Sequence, residues 1–257
     1  MNILSISLSS RISVETDKVW FFPIDITLDS YIKVLGDQAL LRSFGINFFV
    51  TIVGTVGSMI ITSLMAYSLS RNEFFLSKHI SLFVVFTMIF QAPVIPFFFT
   101  VKALGMLNTV WALIIPLLVN AFNLIIIESF FIATPESLID SGKIDGCGDL
   151  RILFNIMLPI SKPVLATIGL FYAVQYWNIF YNCLLFISNE NLWTLQMHIR
   201  ALTTGPIDNM ISYMNLNYNI QTMQMAQVVL AMIPVLALYP FLQKYFIAGV
   251  TLGALKE

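Results

Sequence analysis

The chain has 257 residues, 58% of them hydrophobic and only 11% charged, with a formal net charge of −1 and a mean hydropathy of +0.85. A soluble globular domain carries roughly 25% charged residues, so this composition excludes one, and without a basic excess nucleic acid is no natural partner. Two cysteines, Cys147 and Cys183, make no disulfide framework, and His79 and His198 stand too far apart for a metal motif.

The first residues, MNILSISLSS, are too short to span a bilayer and lack the basic flank of a signal peptide. They are expected to form the outer end of a helix whose first part is missing. Five apolar runs follow at Phe44–Leu69, Ile80–Val101, Thr109–Phe131, Pro163–Ile187 and Met223–Phe246. About 20 apolar residues cross a bilayer as a helix. The expected fold is therefore an all-α integral membrane protein with about five complete transmembrane helices plus an N-terminal helix stub. Positive charges are nearly balanced between the two sides, but Arg71 and Lys78 tightly bracket a short loop. The positive-inside rule weights short loops, which places that loop and the carboxyl terminus in the cytoplasm.

In the first run Thr51, Thr55, Ser58 and Thr62 recur beside Gly54 and Gly57. Small residues at helical spacing let helices approach closely, so this stripe reads as packing. The second run carries Gln91, the third Asn120 and Asn123 at i, i+3. Glu128 stands near the cytoplasmic end of the third run and is expected to reach the headgroups.

The stretch LIDSGKIDGCGDL, Leu138–Leu150, interrupts this apolar chain with glycines and charges. Thr134 reads as an N-cap with Pro135 at the first helical position. Gly142 costs about 1 kcal/mol relative to Ala inside a helix, which is reasonable if another backbone must come close. Asp145-Gly146 is a turn signal, and a left-handed backbone is expected at Gly146. Helical spacing then resumes with Leu150, Leu153, Phe154, Met157 and Leu158 as an apolar stripe. The product is a helix–turn–helix on the cytoplasmic face.

In the fourth run Gln175, Asn178 and Asn182 at i, i+3, i+7 fall on one helical face. Trp177 and Tyr181 form a neighbouring i, i+4 pair. Carboxamides offer hydroxyls both a donor and an acceptor, and aromatic rings cover the apolar faces of pyranoses. Gln91, Asn120, Asn123, Gln175, Trp177, Asn178, Tyr181 and Asn182 are thus the candidate pathway-lining residues. Interhelical hydrogen bonding is the competing reading for each. The chain has no G-x-x-x-x-G-K-[ST], G-x-S-x-G or H-E-x-x-H pattern, and no paired intramembrane carboxylates. No catalytic or metal residues are expected.

LIDSGKIDGCGDLRILFNIMLPIS resembles the cytoplasmic loop motif of ABC-importer permeases, roughly E-A-A, three residues, G, about nine residues, then I-x-L-P. Asp140-Ser141-Gly142 stands at the Glu-Ala-Ala position, Gly146 at the glycine, and Ile156–Pro159 at the ending. The first three positions depart from the pattern, keeping an acid followed by two small residues. AYSLSR (Ala66–Arg71), LGMLNTVWALIIP (Leu104–Pro116), LWTLQMHIR (Leu192–Arg200) and YPFLQKYFIAGVTLGALKE (Tyr239–Glu257) are similar to the carbohydrate branch, the maltose-type inner permeases. They resemble most the members serving oligosaccharides and polysaccharide fragments.

The resemblance implies a single transmembrane permease domain over 1–257, of the type I importer fold. It carries a coupling loop at about 132–162 and a cytoplasmic tail at 248–257. The family has six spans, which agrees with a stub at the start. The chain would sit in a bacterial cytoplasmic (inner) membrane and form half of an oligosaccharide pathway with a second permease subunit, in a heterodimer. Asp140, Ser141, Gly142, Asp145 and Gly146 would dock into one of two cytoplasmic ATPase subunits. Those subunits, not this chain, would hold ATP and Mg, so this chain is no enzyme and binds no cofactor. An extracellular or periplasmic solute-binding protein would deliver the sugar. The alternatives are an ABC permease for a non-sugar solute and an ion-coupled carrier, the latter disfavoured by the lack of midplane charges.

Overall fold

The computed structural model describes residues 2–71, 73–90, 92–204 and 221–237. Among them the regular elements are helical, apart from one isolated bridge between Ser9 and Ile26. The chain divides into two compact units, Met1–Phe48 with Asn178–Tyr239, and Phe49–Trp177 with Pro240–Glu257.

The first unit opens with α1 (Asn2–Ser7), α2 (Arg11–Glu15) and α3 (Asp29–Gly36). Its opening segment is tied down by serines. Ser5 Oγ donates to the Phe21 carbonyl at 2.6 Å, Ser7 Oγ meets the Tyr31 hydroxyl at 2.7 Å, and the Ile24 N–H donates to Ser9 Oγ at 3.1 Å. These bonds fix an extended excursion, Asp17–Leu28, on which Trp20, Phe21 and Phe22 stay exposed.

The chain then enters α4 (Gln38–Leu69), the one described helix long and apolar enough to cross a membrane unbroken. It begins six residues before the predicted run, because Asp37 Oδ1 accepts the free Ala39 N–H at 2.9 Å and starts the helix early.

The other predicted spans are helical but interrupted. Ile80–Val101 divides into α5 (Ser77–Ile89) and α6 (Val94–Ala103). Pro93 caps α6, where a missing N–H costs nothing, and it drives the preceding residue out of helical geometry. Thr109–Phe131 becomes α7 (Trp111–Ile114), a 3-10 turn at Ile115–Leu117, then α8 (Ala121–Ile132), bent by 44°. The cytoplasmic-type stretch follows as α9 (Glu136–Ile144), α10 (Asp149–Ile152), a π-helical turn at Leu153–Met157 and α11 (Leu158–Ile160). After an 88° elbow at Ser161 comes α12 (Lys162–Trp177). Pro163–Ile187 is therefore not one helix. It breaks at Asn178–Phe180 before α13 (Tyr181–Phe186), and Thr194 Oγ1 donates to the Ile179 carbonyl at 3.0 Å within the break. A short 3-10 turn (Glu190–Leu192), α14 (Leu195–Thr204) and α15 (Gln221–Ala237) complete the described chain. Among the described residues there is by length and composition one span, or up to four if each bent pair is one; the rest of the fifth predicted run lies outside them.

In the second unit α8 packs against α5 and α12. Leu113, Ile114, Leu124, Ile127, Phe131 and Ile168 fill the space between them. Their burial adds to hydrogen bonds that, away from water, must all be made internally.

Candidate coupling loop and translocation groove

The coupling-type loop is built around α9. Its start differs from the sequence reading: Pro135 is the N-cap and Glu136 the first helical residue. Thr134 instead donates its hydroxyl back to the Phe130 carbonyl at 3.2 Å, closing the last turn of α8. Ile139 and Gly142 are buried, while Asp140, Ser141, Asp145 and Gly146 are exposed. A Cβ at Gly142 would lie 2.8 Å from Ile156 Cδ1. The glycine thus allows close packing against the returning segment, but the neighbour is a side chain and not the expected backbone.

Gly146 has φ +76°. Its N–H bonds the Lys143 carbonyl at 3.0 Å, and the Cys147 N–H bonds the Gly142 carbonyl at 2.9 Å. This pair of bonds is the Schellman motif, which satisfies the last carbonyls of a helix and needs a left-handed residue. The strain expected for any other residue at Gly146 is conformational, since a Cβ there would meet open space.

The returning segment corrects the predicted stripe. Leu153 and Met157 are buried together with Ile152, but Leu150 and Phe154 are exposed. Ile152, Leu153 and Met157 stand at i, i+1 and i+5 on one helical face, turned from the predicted stripe by about one residue.

Two contacts hold the loop to the end of α4. Lys143 Nζ donates to Glu73 Oε1 at 2.5 Å. That hydrogen bond holds the Glu73 carboxyl below its ordinary range and raises the Lys143 ammonium above its own. Pairing is therefore lost only as pH falls through the lowered Glu73 value or rises through the raised Lys143 value, and it is constant at neutral pH. Arg71 lies 4.7 Å over the Tyr67 ring and reaches Met157 Sδ at 3.9 Å.

Two tyrosines brace the helices above this loop. Tyr176 donates its hydroxyl to the Ile114 carbonyl at 3.2 Å and lies 3.0 Å from Ser58 Oγ. A phenol has one proton, so Ser58 is the donor in the second bond. The Asn120 N–H donates to the Tyr172 hydroxyl at 3.0 Å, which also meets Thr62 Oγ1 at 2.8 Å. The 3-10 turn leaves Ile114 without its helical acceptor role, because the Leu118 N–H turns to Ile115 at 3.3 Å. The tyrosines thus fill the backbone vacancies of the broken third run from α12 and tie it to α4. The Ser58 and Thr62 stripe is a packing surface, as predicted, and Gly54 is where the Tyr176 ring fits: a Cβ would lie 2.7 Å from it. Neither tyrosine is among the residues the sequence points to, although their i, i+4 spacing matches that of Ser58 and Thr62.

The candidate pathway residues are distributed otherwise than one face would have it. Asn120 lies outside a helix and caps α8, its Oδ1 accepting the Asn123 N–H at 3.2 Å; Asn123 is buried. Glu128 is not exposed at the surface. It is buried, and Ser81 Oγ donates to its Oε1 at 2.6 Å across α5 and α8. Gln91 lies outside the described residues. The break after Trp177 ends the i, i+3, i+7 register: Gln175 is half-buried on α12, Asn178 is exposed in the break, and Asn182 is buried on α13 with no partner for Nδ2. Trp177 is buried and Tyr181 exposed.

Within the first unit Asn178 and Gln196 share a groove of about 260 Å³ whose other walls, Ile199, Val228, Met232 and Val235 among them, are apolar. Gln196 was not singled out from sequence; a carboxamide on a helix with an apolar face is its only signal. In the same unit, the Trp193 Nε1 and both amide atoms of buried Gln227 have no hydrogen-bond partner. His198 is 3.8 Å from Asp37, and burial holds its imidazole below the ordinary range.

Comparison with known proteins places these features. Residues 58–252 match the family described as the binding-protein-dependent transport system inner membrane component. The polygalacturonan/rhamnogalacturonan transport system permease protein YtcP of Bacillus subtilis is 41% identical over 260 residues, covering 100% of this chain and 91% of that protein. Protein LplC of the same organism is 40% identical, covering 99% of this chain and 87% of that one. A crystal structure of a bacterial ABC transporter involved in the import of the acidic polysaccharide alginate contains a chain with TM-score 0.90 and 31% identity, covering 95% of this chain and 89% of that chain. The chain belongs to the family of binding-protein-dependent inner membrane permeases. It has the type I ABC-importer permease fold and is a transporter component in a class distinct from the ATPases.

Proposed function

We propose that this chain forms half of the pathway of an oligosaccharide importer, as one permease domain with about five complete spans. In this reading the loop at about 132–162 faces the cytoplasm, and Asp140, Ser141, Asp145 and Gly146 enter a cleft on an ATPase subunit, with Gly142 buried behind them against Ile156. Two such subunits hold ATP and Mg, a second permease completes the pathway, and a solute-binding protein supplies the sugar from outside. The carboxyl tail at 248–257, which lies outside the described residues, reaches the same cytoplasmic side. Gln91, Asn120, Asn123, Gln175, Trp177, Asn178, Tyr181 and Asn182 are the proposed pathway residues. Asn178 leads them, because it faces the groove it shares with Gln196.

The sugar assignment is carried by the relatives, which are named for polygalacturonan and rhamnogalacturonan and for arabinooligosaccharides. The loop assignment is supported by the rigid, Schellman-capped tip whose polar residues point outward. Uptake of labelled pectic and neutral oligosaccharides into proteoliposomes, with the partner subunits and the solute-binding protein present, tests the whole reading. Uptake of amino acids or peptides in place of any sugar would sink it. In the same assay Gly146→Val is expected to abolish uptake and to weaken co-purification of the ATPase, since a β-branched residue is strained at φ +76° by roughly 1–2 kcal/mol. Asn178→Leu is expected to lower uptake about tenfold, the loss of one or two hydrogen bonds to sugar, with basal ATP hydrolysis unchanged.

A further inference from the structure

Four helix ends in the second unit enclose a pocket of about 260 Å³: the end of α4, the start of α5, the end of α8 and the start of α9. Arg71, Lys78, Glu128, Glu136, Ser77 and Ser81 supply its polar walls. Nothing in the transport reading uses it. Arg71 Nε is buried there with no hydrogen-bond partner. Among the described residues neither Arg71 nor Lys78 forms an ion pair. A buried charged donor left unmade is costly, and such groups in native proteins normally meet a partner, a water or an ion.

The pocket's depth narrows the partner. Leu69 and Ile132, the last residues of α4 and α8, line it, so it lies where apolar helices leave the hydrocarbon. Lipid phosphates occupy that level, and Arg and Lys are the side chains that bind them. The carboxylates narrow it further. Glu128 already accepts from Ser81, yet each carboxylate has several acceptor positions. A ligand here must bring an anionic phosphate for the two cations and its own O–H or N–H donors for the two acids. Choline has no such donor.

We propose that this pocket binds the phosphodiester headgroup of a membrane lipid that carries hydroxyl or primary ammonium protons, as phosphatidylglycerol and phosphatidylethanolamine do. The assignment stands independently of the substrate, since it rests only on the chain lying in a membrane. Its test therefore reads lipid binding and not uptake. The detergent-purified transporter, with its partner subunits, is titrated with phosphatidylglycerol, phosphatidylethanolamine and phosphatidylcholine, and bound lipid is counted by native mass spectrometry. Phosphatidylglycerol or phosphatidylethanolamine is expected to bind at least about tenfold tighter than phosphatidylcholine, the scale of one charged hydrogen bond. Lys78→Gln, at an exposed position, should cut that preference several-fold, and Arg71→Gln combined with Lys78→Gln should remove it. Displacement of the lipid by glycerol phosphate but not by choline phosphate supports headgroup recognition. Inorganic phosphate binding as tightly as the lipid overturns the lipid assignment, and equal binding of the three lipids, or a preference surviving both substitutions, overturns the site.

Discussion

α12 and α13 arise from one apolar run, yet their surroundings treat buried polar groups in opposite ways. On α12 the hydroxyls of Tyr172 and Tyr176 each serve two neighbours, Thr62 with the Asn120 N–H and Ser58 with the Ile114 carbonyl. Past the break, Asn182 Nδ2 on α13 and both amide atoms of Gln227 on α15 are buried without partners. A polar group fully matched inside the protein fixes helix positions. One buried and unmatched is held at a cost of about 1–3 kcal/mol, and a protein that keeps it has another use for it, such as a hydroxylated solute or ordered water. The contrast is between these helices and not between whole units, since Thr55 Oγ1, Tyr67 Oη and Ser161 Oγ are also buried without partners; we propose that the unmatched amides past the break face solute.

The comparison breaks most readily at Gly54. Gly54→Val would drive a branched side chain into the braced Tyr176 ring, and overpacking of this kind costs about 1–3 kcal/mol. The expected outcome is lower thermal stability and less folded protein in the membrane, read by fluorescence-detected gel filtration. Normal yield and melting would show that the tyrosine brace is loose.

Tyr176→Phe keeps the ring and removes both hydrogen bonds. About 1 kcal/mol of stability should go, at the scale measured for hydrogen bonds between membrane helices. Hydrogen exchange should rise at Ile115–Asn120, where the broken third run loses one of its two supports. Exchange unchanged there would mean the break is held by packing alone.

Gln227→Leu sharpens the other side of the contrast. Replacing an unmatched buried amide with an apolar group of similar volume is expected to leave stability within about 0.5 kcal/mol of wild type or to raise it. Uptake should fall while stability holds. A clear loss of stability would place Gln227 with the scaffold.

How much of this was legible beforehand varies by residue for identifiable reasons. The α4 packing stripe, the close approach at Gly142 and the left-handed Gly146 are properties of one residue or one helix, and each was readable. The interruptions divide. Pro93 and Pro116 stand at two of them, although both runs were expected as continuous spans, and nothing local marks the break at Asn178–Phe180, whose Ile179 carbonyl is met by Thr194 from a later segment. The single face of Gln175, Asn178 and Asn182 failed with that break. Leu150 and Phe154 were misplaced because the buried face, Ile152 with Leu153 and Met157, is turned by about one residue from the predicted stripe. Glu128 was read outward because its partner Ser81 lies on another helix.

The chain also carries its own reporter. Its two thiols differ in access: Cys183 is buried, while Cys147 is half-exposed at the residue that closes the Schellman turn beside Gly146. A maleimide added to intact membranes should therefore modify Cys147 far faster than Cys183. Anything seated over the loop tip would slow that reaction. Labelling kinetics would thus follow occupancy of the tip through a transport cycle, with no engineered cysteine in the protein.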